Sequence, residues 1–433
     1  MTRSAKLAAL LLVGIGSSAA HADPTPTLPP VTDHASDGPL AVEADDTADD
    51  EGVGLNDDGP PVTGALRAGV YADSDQTVVW RALGVAARSW KHLTLSGSLG
   101  VDSVTSASVD VRSSPKLSKV DVVSSATQGT STSGGQMSDT RVQVTGGAGW
   151  KGDSGSALNL TAAAAAETDY ASVSGGLNGS FDLLDRQLTV LAGASLTNNW
   201  VSSVLDSNLH KQMVGAGFTA GFALVMTPRD ALRLRYDGKT SAGYLASPYR
   251  SVRFGDWTPL FGAHQIMFLN TIGSADGLPE RVPGSRVAHA AVLEWLHSLS
   301  PGIGLHPELR VSRDSWQVDS LSAGLDLRIA QSAWRMQVGY RFYGQSHASF
   351  FQDKYTADPT AYHYYTSDKE LGDEVGHLLR LDLGFVLSDP HDTNDTRTLL
   401  NLQLEGAYYN YPGFVLLPSR QSLFAAIGIT WEL

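Results

Sequence analysis

Charged residues recur at every second position through much of the second half of this chain. Arg233, Arg235, Asp237 and Lys239 alternate with Leu232, Leu234 and Tyr236, and Glu308 and Arg310 alternate with Leu309 and Val311. Asp326 and Arg328 are separated from one another by Leu327, and Arg335 and Arg341 lie in a run whose other positions include Trp334, Met336, Val338 and Tyr340. Arg380 with Asp382, and later Glu405, repeat the pattern. Guanidinium, ammonium and carboxylate groups lined along one face have two chemical uses. They attract small ions and polar solutes, or they pair with one another into a rigid network.

A second group is aromatic. Tyr244, Tyr249, Arg250 and Trp257 fall in one long polar connection, and Tyr364 and Tyr365 in another. Such residues serve either as a ligand-capturing vestibule or as the glue that packs loops onto their own rim. For catalysis, the nearest candidates are His347 with Ser346 or Asp353, and His377 with Asp373 and Glu374. Adjacency in sequence does not create the nucleophile-base geometry that catalysis needs, so no catalytic residue is expected. The remaining histidines, among them His289, His297, His306 and His363, show no metal-ligand spacing, and no metal or cofactor is expected. The chain has no cysteine, which excludes disulfides, thiolate metal sites and a cysteine nucleophile.

A period of two is the signature of strands, whose successive side chains point to opposite faces. The clearest strand is Gln421 to Leu433, with Leu423, Ala425, Ile427, Ile429, Trp431 and Leu433 on one face and Phe424, Ala426, Gly428, Thr430 and Glu432 on the other. A tilted strand needs roughly 9 to 11 residues to cross a hydrocarbon layer, and this one is long enough. Sixteen such segments follow one another from Thr63–Asp73 to Gln421–Leu433. Their connections alternate between short turns and longer stretches, and the three longest, Ser106 to Asp139, Ser241 to Ser285 and Ser346 to Val375, all fall on the same rim. That alternation predicts an all-β fold, a transmembrane antiparallel up-and-down β-barrel of about sixteen strands with both termini on the periplasmic side. A charge at the lipid midplane costs several kcal/mol, so the alternating charges are predicted to line the interior. Strands three to eight send mostly small residues inward instead, including Thr94, Ser96, Ser98, Thr189 and Ser195. Trp80, Trp90, Trp150, Trp200, Trp295, Trp316, Trp334 and Trp431 sit near strand ends, where interfacial girdles form.

The start of the chain assigns the compartment. Arg3 and Lys6 precede an apolar run from Leu7 to Gly16, and Ala20-His21-Ala22 supplies small residues for signal peptidase. Residues 1–22 are therefore predicted to be a secretory signal for the Sec pathway, cleaved near Ala22. Residues 23–60 carry eleven Asp and Glu and no Lys or Arg, and are predicted to be a disordered periplasmic tail. Residues 61–433 form the barrel. Removing 1–60 leaves 29 basic residues (31 less two) and 34 acidic ones (45 less eleven), a net charge of minus five with no basic patch that points to nucleic acid.

Gly243-Tyr-Leu-Ala-Ser-Pro-Tyr-Arg250, Leu278-Pro-Glu-Arg-Val-Pro-Gly-Ser-Arg286, Tyr340-Arg-Phe-Tyr-Gly-Gln-Ser-His-Ala-Ser-Phe350 and Tyr364-Tyr-Thr-Ser-Asp-Lys-Glu370 resemble a bacterial family called domain of unknown function 3570. The resemblance covers roughly Leu232 to Leu433 and implies an outer-membrane barrel; it carries no activity, so no residue inherits a role. Pro248, Pro279 and Pro283 lock φ and remove donors, which predicts a compact loop in place of another strand pair. The last strand, with an aromatic near its end, is similar to the assembly signal of outer-membrane barrels, which makes the barrel-assembly machinery and outer-membrane lipid its expected partners. The expected function is passage of small hydrophilic solutes, anions among them, through an arginine-rich lumen. The alternative is a non-conducting barrel for assembly, export or surface binding, with an outer-membrane enzyme the least favoured reading.

Overall fold

The computed structural model describes residues 62–107, 109, 137–203, 205–261, 266–272, 277–388 and 397–432. The predicted signal peptide, the acidic tail and most of the first long loop lie outside them. The strands in chain order are β1 (Val62–Asp73), β2 (Thr77–Ser89), β3 (Leu93–Ser106), β4 (Met137–Lys151), β5 (Ala157–Ala166), β6 (Tyr170–Leu183), β7 (Leu188–Val201), β8 (Lys211–Thr227) and β9 (Asp230–Gly243). Four short strands follow, β10 (Ser251–Val252), β11 (Asp256–Phe261), β12 (Ile266–Ile272) and β13 (Leu278–Pro279). The chain then continues through β14 (Ser285–Ser300), β15 (Ile303–Asp314), β16 (Asp319–Ala330), β17 (Trp334–Gln345), β18 (Glu374–Ser388), β19 (Arg397–Asn410) and β20 (Ser419–Glu432).

Strands β1–β9 and β14–β20 close into one antiparallel barrel of sixteen strands, each bonded to its sequence neighbours and β20 back to β1. The expected strand count and order therefore hold. No helix among the described residues is long and apolar enough to cross a membrane, which does not bear on a β-barrel. The side-chain alternation stays in phase around the whole circuit. Starting from Arg233, whose register partners are Glu294 and Ala223, directly opposed residues lead through Glu308, Gly324 and Arg341 to Leu378; Arg380, two positions on and so on the same face, is opposed to Glu405, which leads by Phe424 to Tyr71 and back through Thr189. Opposed residues share a face, so one unbroken inner face and one unbroken outer face result.

The outer face is apolar. Leu66, Leu99, Leu160, Leu196, Leu293, Leu325, Leu379 and Ile427 are all exposed, each on the parity opposite to the charges. A soluble protein does not leave so much contiguous apolar surface in water; a lipid-facing belt accounts for it. Exposed Trp90, Trp150, Trp295 and Trp334 stand near the rim that carries the short turns, and Trp80 and Trp200 near the other. Trp316 does not belong to this girdle. It is buried under the loops, its ring edge-on to Phe350 at 5.3 Å and its Nε1–H donating to the Ser285 carbonyl.

The outer face of β20 gives a direct test of this orientation. Ile427 is opposed to Leu402 and Ala68 near the middle of the strand. Ile427→Arg is expected to destabilise the barrel by roughly 2–4 kcal/mol in lipid vesicles, read by denaturant unfolding. Ala426→Ser, one position away on the inner face, is expected to change little. Equal costs for the two would invert the assignment of faces.

The second long loop departs from expectation. It contains two strand pairs, β10 with β13 and β11 with β12, despite its prolines. Pro279 is itself a strand residue, opposed to Ser251, and Pro259 is opposed to Phe268. A two-stranded ribbon has only edges, and an edge position tolerates the missing N–H of proline. Gly243, at φ 115°, releases the chain from β9 into this loop, where a Cβ would collide with the Gln212 carbonyl.

Candidate functional site

The charged half of the inner face is organised into several groups of paired charges. Arg233 Nη1 on β9 lies 3.1 Å from Glu294 Oε2 on β14, both side chains 9% exposed. Glu294 in turn lies 3.5 Å from His306 on β15, which stands 3.7 Å from Asp326 on β16. Arg328 reaches the His306 Nδ1 at 3.1 Å, and Gln337 on β17 donates to Asp326 at 2.9 Å. Nearer the long loops, Asp237 is held by Arg235 and Arg310, each at 3.2 Å, and accepts from Thr219 Oγ1. Arg341 lies 3.6 Å from Glu308, Arg380 lies 2.7 Å from Asp382, and Arg335 donates to Asn401 at 2.9 Å. Glu405 is directly opposed to Arg380 across the β18–β19 pair, and Lys239 is exposed near the loop end of β9. Thus the thirteen charged residues singled out from the alternation occupy one face, and most of the arginines have a carboxylate neighbour.

Glu294 is the member that alternation did not flag. Strand β14 carries Ala288, Ala290 and Val292 on the same face and Val287, Ala291 and Leu293 on the other, so its apolar residues give no sign of which side is inward. Only the opposed Arg233 identifies Glu294 as a partner. Across the barrel, Arg81 pairs with Asp102 at 3.1 Å and Arg141 with Glu167 at 3.7 Å, charges on strands where the sequence shows chiefly small inward residues.

The loops on the rim opposite the short turns lock into a cap. Arg250 is bonded to Asp368 at 2.8 Å and to Glu280 at 3.5 Å. Glu280 also accepts from the Ser247 N–H and, at 2.7 Å, from the Thr366 hydroxyl. Arg281 and Tyr365 exchange two backbone hydrogen bonds, and Tyr355 donates its hydroxyl to the Phe350 and Thr366 carbonyls. Phe254 packs against the rings of Tyr355, Tyr362 and Tyr365 at 5.3, 6.0 and 5.0 Å. The four stretches that carry the family resemblance are therefore the ones that meet here. Of the vestibule candidates, Arg250 and Trp257 are buried, and Tyr244, Tyr249, Tyr364 and Tyr365 are half-buried. Burial raises the Tyr244 phenol to about 12, with Glu280 adding to the shift. These residues pack loop to loop instead of standing open at the mouth.

The cap also crosses the barrel mouth. Ile266 and Phe268 of the β11–β12 hairpin, which leaves from β9, pack with Tyr409, Tyr411 and Phe414 at the loop end of β19, together with Val109. Tyr409 is on the inner face, opposed to Arg420. In the barrel order β9 and β19 are separated by β14 to β18, so the hairpin spans the opening.

The catalytic candidates separate. His347 pairs with Asp373 at 3.0 Å, both more than 40% exposed, while Asp353 accepts from the Val415 N–H and Ser346 Oγ from the Asp319 N–H. His377 is on the outer wall, its Nδ1 bonded to the Tyr340 hydroxyl, with Glu374 on the other face. Among the described residues, no three His, Asp or Glu side chains are grouped to hold a metal ion.

Closed strand order, in-phase alternation and an apolar outer belt define the class: an integral outer-membrane type of β-barrel. Residues 208–394 match a family described as protein of unknown function (DUF3570). The match includes all four quoted stretches and ends before β19, so the last two strands lie outside it. No curated protein matches this sequence. Among solved structures, a bacterial polysaccharide outer membrane secretin is similar at 10% identity, over 86% of this chain and 98% of that one, with a TM-score of 0.45. The CymD monoaromatic hydrocarbon channel is similar at 8% identity, over 86% and 89%, with a TM-score of 0.39. The P. putida toluene transporter TodX is similar at 10% identity, over 87% and 90%, with a TM-score of 0.35. At such identities and scores, none of these carries a function to this chain.

Proposed function

We propose that the protein is an outer-membrane pore for small hydrophilic solutes, its lumen the charged inner face and its outer mouth restricted by the loop cap. The observation that carries this reading is the exposure of charged side chains on the inner wall. Arg328 and Arg335 near the short-turn rim, and Lys239 near the loop rim, are exposed although they stand on the inner face of a closed barrel. In this reading the termini and the acidic tail of 23–60 lie in the periplasm after Sec export, and the last strand engages the assembly machinery. The mostly paired arginines support at most a mild preference for anions, since each paired guanidinium has a carboxylate to offset its field.

Single-channel conductance of the refolded barrel in a planar bilayer tests the proposal. Steady conductance is expected, and replacing Lys239, Arg328 and Arg335 together with Gln is expected to move the reversal potential in a salt gradient toward cation preference. A heat-modifiable, folded barrel that never conducts would overturn it. One observation favours a second reading: the hairpin seated on Tyr409 and Tyr411 spans the mouth, which suits a barrel closed in this state whose loops bind a surface partner.

A further inference from the structure

Beneath the cap, at the loop end of β20, Arg420 is 2% exposed, and among the described residues its Nε and Nη2 have no hydrogen-bond partner. Nε–H and Nη2–H leave the same edge of the guanidinium side by side. They are the two-pronged fork that binds a planar oxyanion in bidentate fashion. The guanidinium lies 4.9 Å from the centre of the Tyr409 ring and 5.7 Å from that of Tyr411, and Glu370, Glu374 and Asp73 act on it through space without a hydrogen bond to its Nε or Nη2.

Three further polar atoms in the same region are buried and unbonded: Glu374 Oε1, Glu370 Oε1 and the Tyr411 hydroxyl, with Glu374 2% and Tyr411 1% exposed. Gln345 fixes the segment that carries Glu370, donating to the Glu370 and Gly372 carbonyls at 2.7 and 2.8 Å. One orphaned polar atom is a modest cost to a fold; two guanidinium nitrogens, one oxygen of each of two carboxyls and a phenol orphaned together describe a site shaped for something polar.

We propose that this recess binds a small hydroxy- or amino-carboxylate, its carboxylate side-on to the Nε–Nη2 edge of Arg420 and its hydroxyl or ammonium toward Glu374, Glu370 and Tyr411. The carboxyls do not repel such a ligand as strongly as their number suggests. Burial, reinforced by Asp368, pushes Glu370 up to about 8, so near neutrality it is largely protonated and can donate to an oxyanion. The recess lies at the crossing point of the cap and the inner wall, so a ligand there would meet both.

Binding is tested without any flux, so it can succeed or fail independently of the pore reading. The full refolded barrel in detergent micelles is titrated calorimetrically with lactate, with lactamide as the neutral isostere and inorganic phosphate as the competing oxyanion. Saturable binding of lactate but not lactamide is expected. Arg420→Gln is expected to weaken it by roughly tenfold or more, and Arg420→Lys, which keeps the charge without the fork, by nearly as much. Should Arg420→Gln fail to fold, Tyr411→Phe removes one partner and is expected to weaken lactate binding several-fold. The proposal is overturned by a folded wild-type barrel that ignores lactate, which would assign the recess to ordered water. It is equally overturned by indifference between lactate and lactamide, by phosphate binding in preference to lactate, or by lactate affinity unchanged in a folded Arg420→Gln or Tyr411→Phe variant.

Discussion

Replacing Arg233 with Ala is expected to lower the unfolding free energy of the barrel by about 3–5 kcal/mol, the cost of leaving one member of a buried ion pair without the other. Both side chains are 9% exposed, and Glu294 also lies 3.5 Å from His306. The loss therefore propagates along the chain of contacts through His306 to Asp326. Glu294→Ala is expected to cost about as much, because a buried guanidinium then loses its carboxylate at 3.1 Å. Arg233→Met with Glu294→Leu is expected to recover most of the loss, since replacing both charges removes the desolvation penalty along with the attraction. Equilibrium unfolding in lipid vesicles reads all three. Single variants within about 0.5 kcal/mol of wild type would show that water screens the pair as it does at a surface, and that the network contributes no rigidity.

Glu280→Ala is expected to unlock the cap while leaving the barrel folded. Glu280 is 8% exposed and accepts from Ser247, Arg250 and Thr366, the last fully buried. Its removal orphans the Ser247 N–H and the Thr366 hydroxyl and takes one carboxylate from Arg250, at a local cost of about 3 kcal/mol. The strands bond to one another and owe nothing to this residue, so the effect is confined to residues 244–284 and 346–373. Hydrogen exchange in those two segments is expected to accelerate roughly a hundredfold while the strand amides are unchanged. Conductance in the planar bilayer is expected to rise, because loosened flanking loops let the β11–β12 hairpin leave its seat on Tyr409 and Tyr411. Faster exchange with no gain in conductance would separate the cap from gating; unchanged exchange would show that the Phe254 ring cluster holds the loops without Glu280.

Much of the fold was legible in the alternation. Sixteen strands were readable because each barrel strand faces two different solvents, so Leu234 and Arg235 must differ in polarity. The same contrast placed the charged residues on one face from Arg233 to Glu405. The reading was weakest where this contrast lapses. Strand β14 is apolar on both sides, which concealed Glu294, and the second long loop faces no lipid, which concealed β10 to β13. There, Pro259 and Pro279 argued for irregular backbone, yet a two-stranded ribbon accepts them at its edges.

The sequence by itself determined the strand number, the order of the barrel and the two faces of its wall, because these depend on local periodicity and on the lengths of connections. Tertiary structure alone decided who pairs with whom. Arg250 meets Asp368 across 118 residues and Ile266 meets Tyr411 across the mouth, contacts set by the closure of the barrel and the reach of its loops. Nor does any spacing in the chain announce Arg420. Its surroundings come from β1, β18, β19 and the connections beside them, and a guanidinium against tyrosine rings with its fork unfilled exists only once those elements have closed around it.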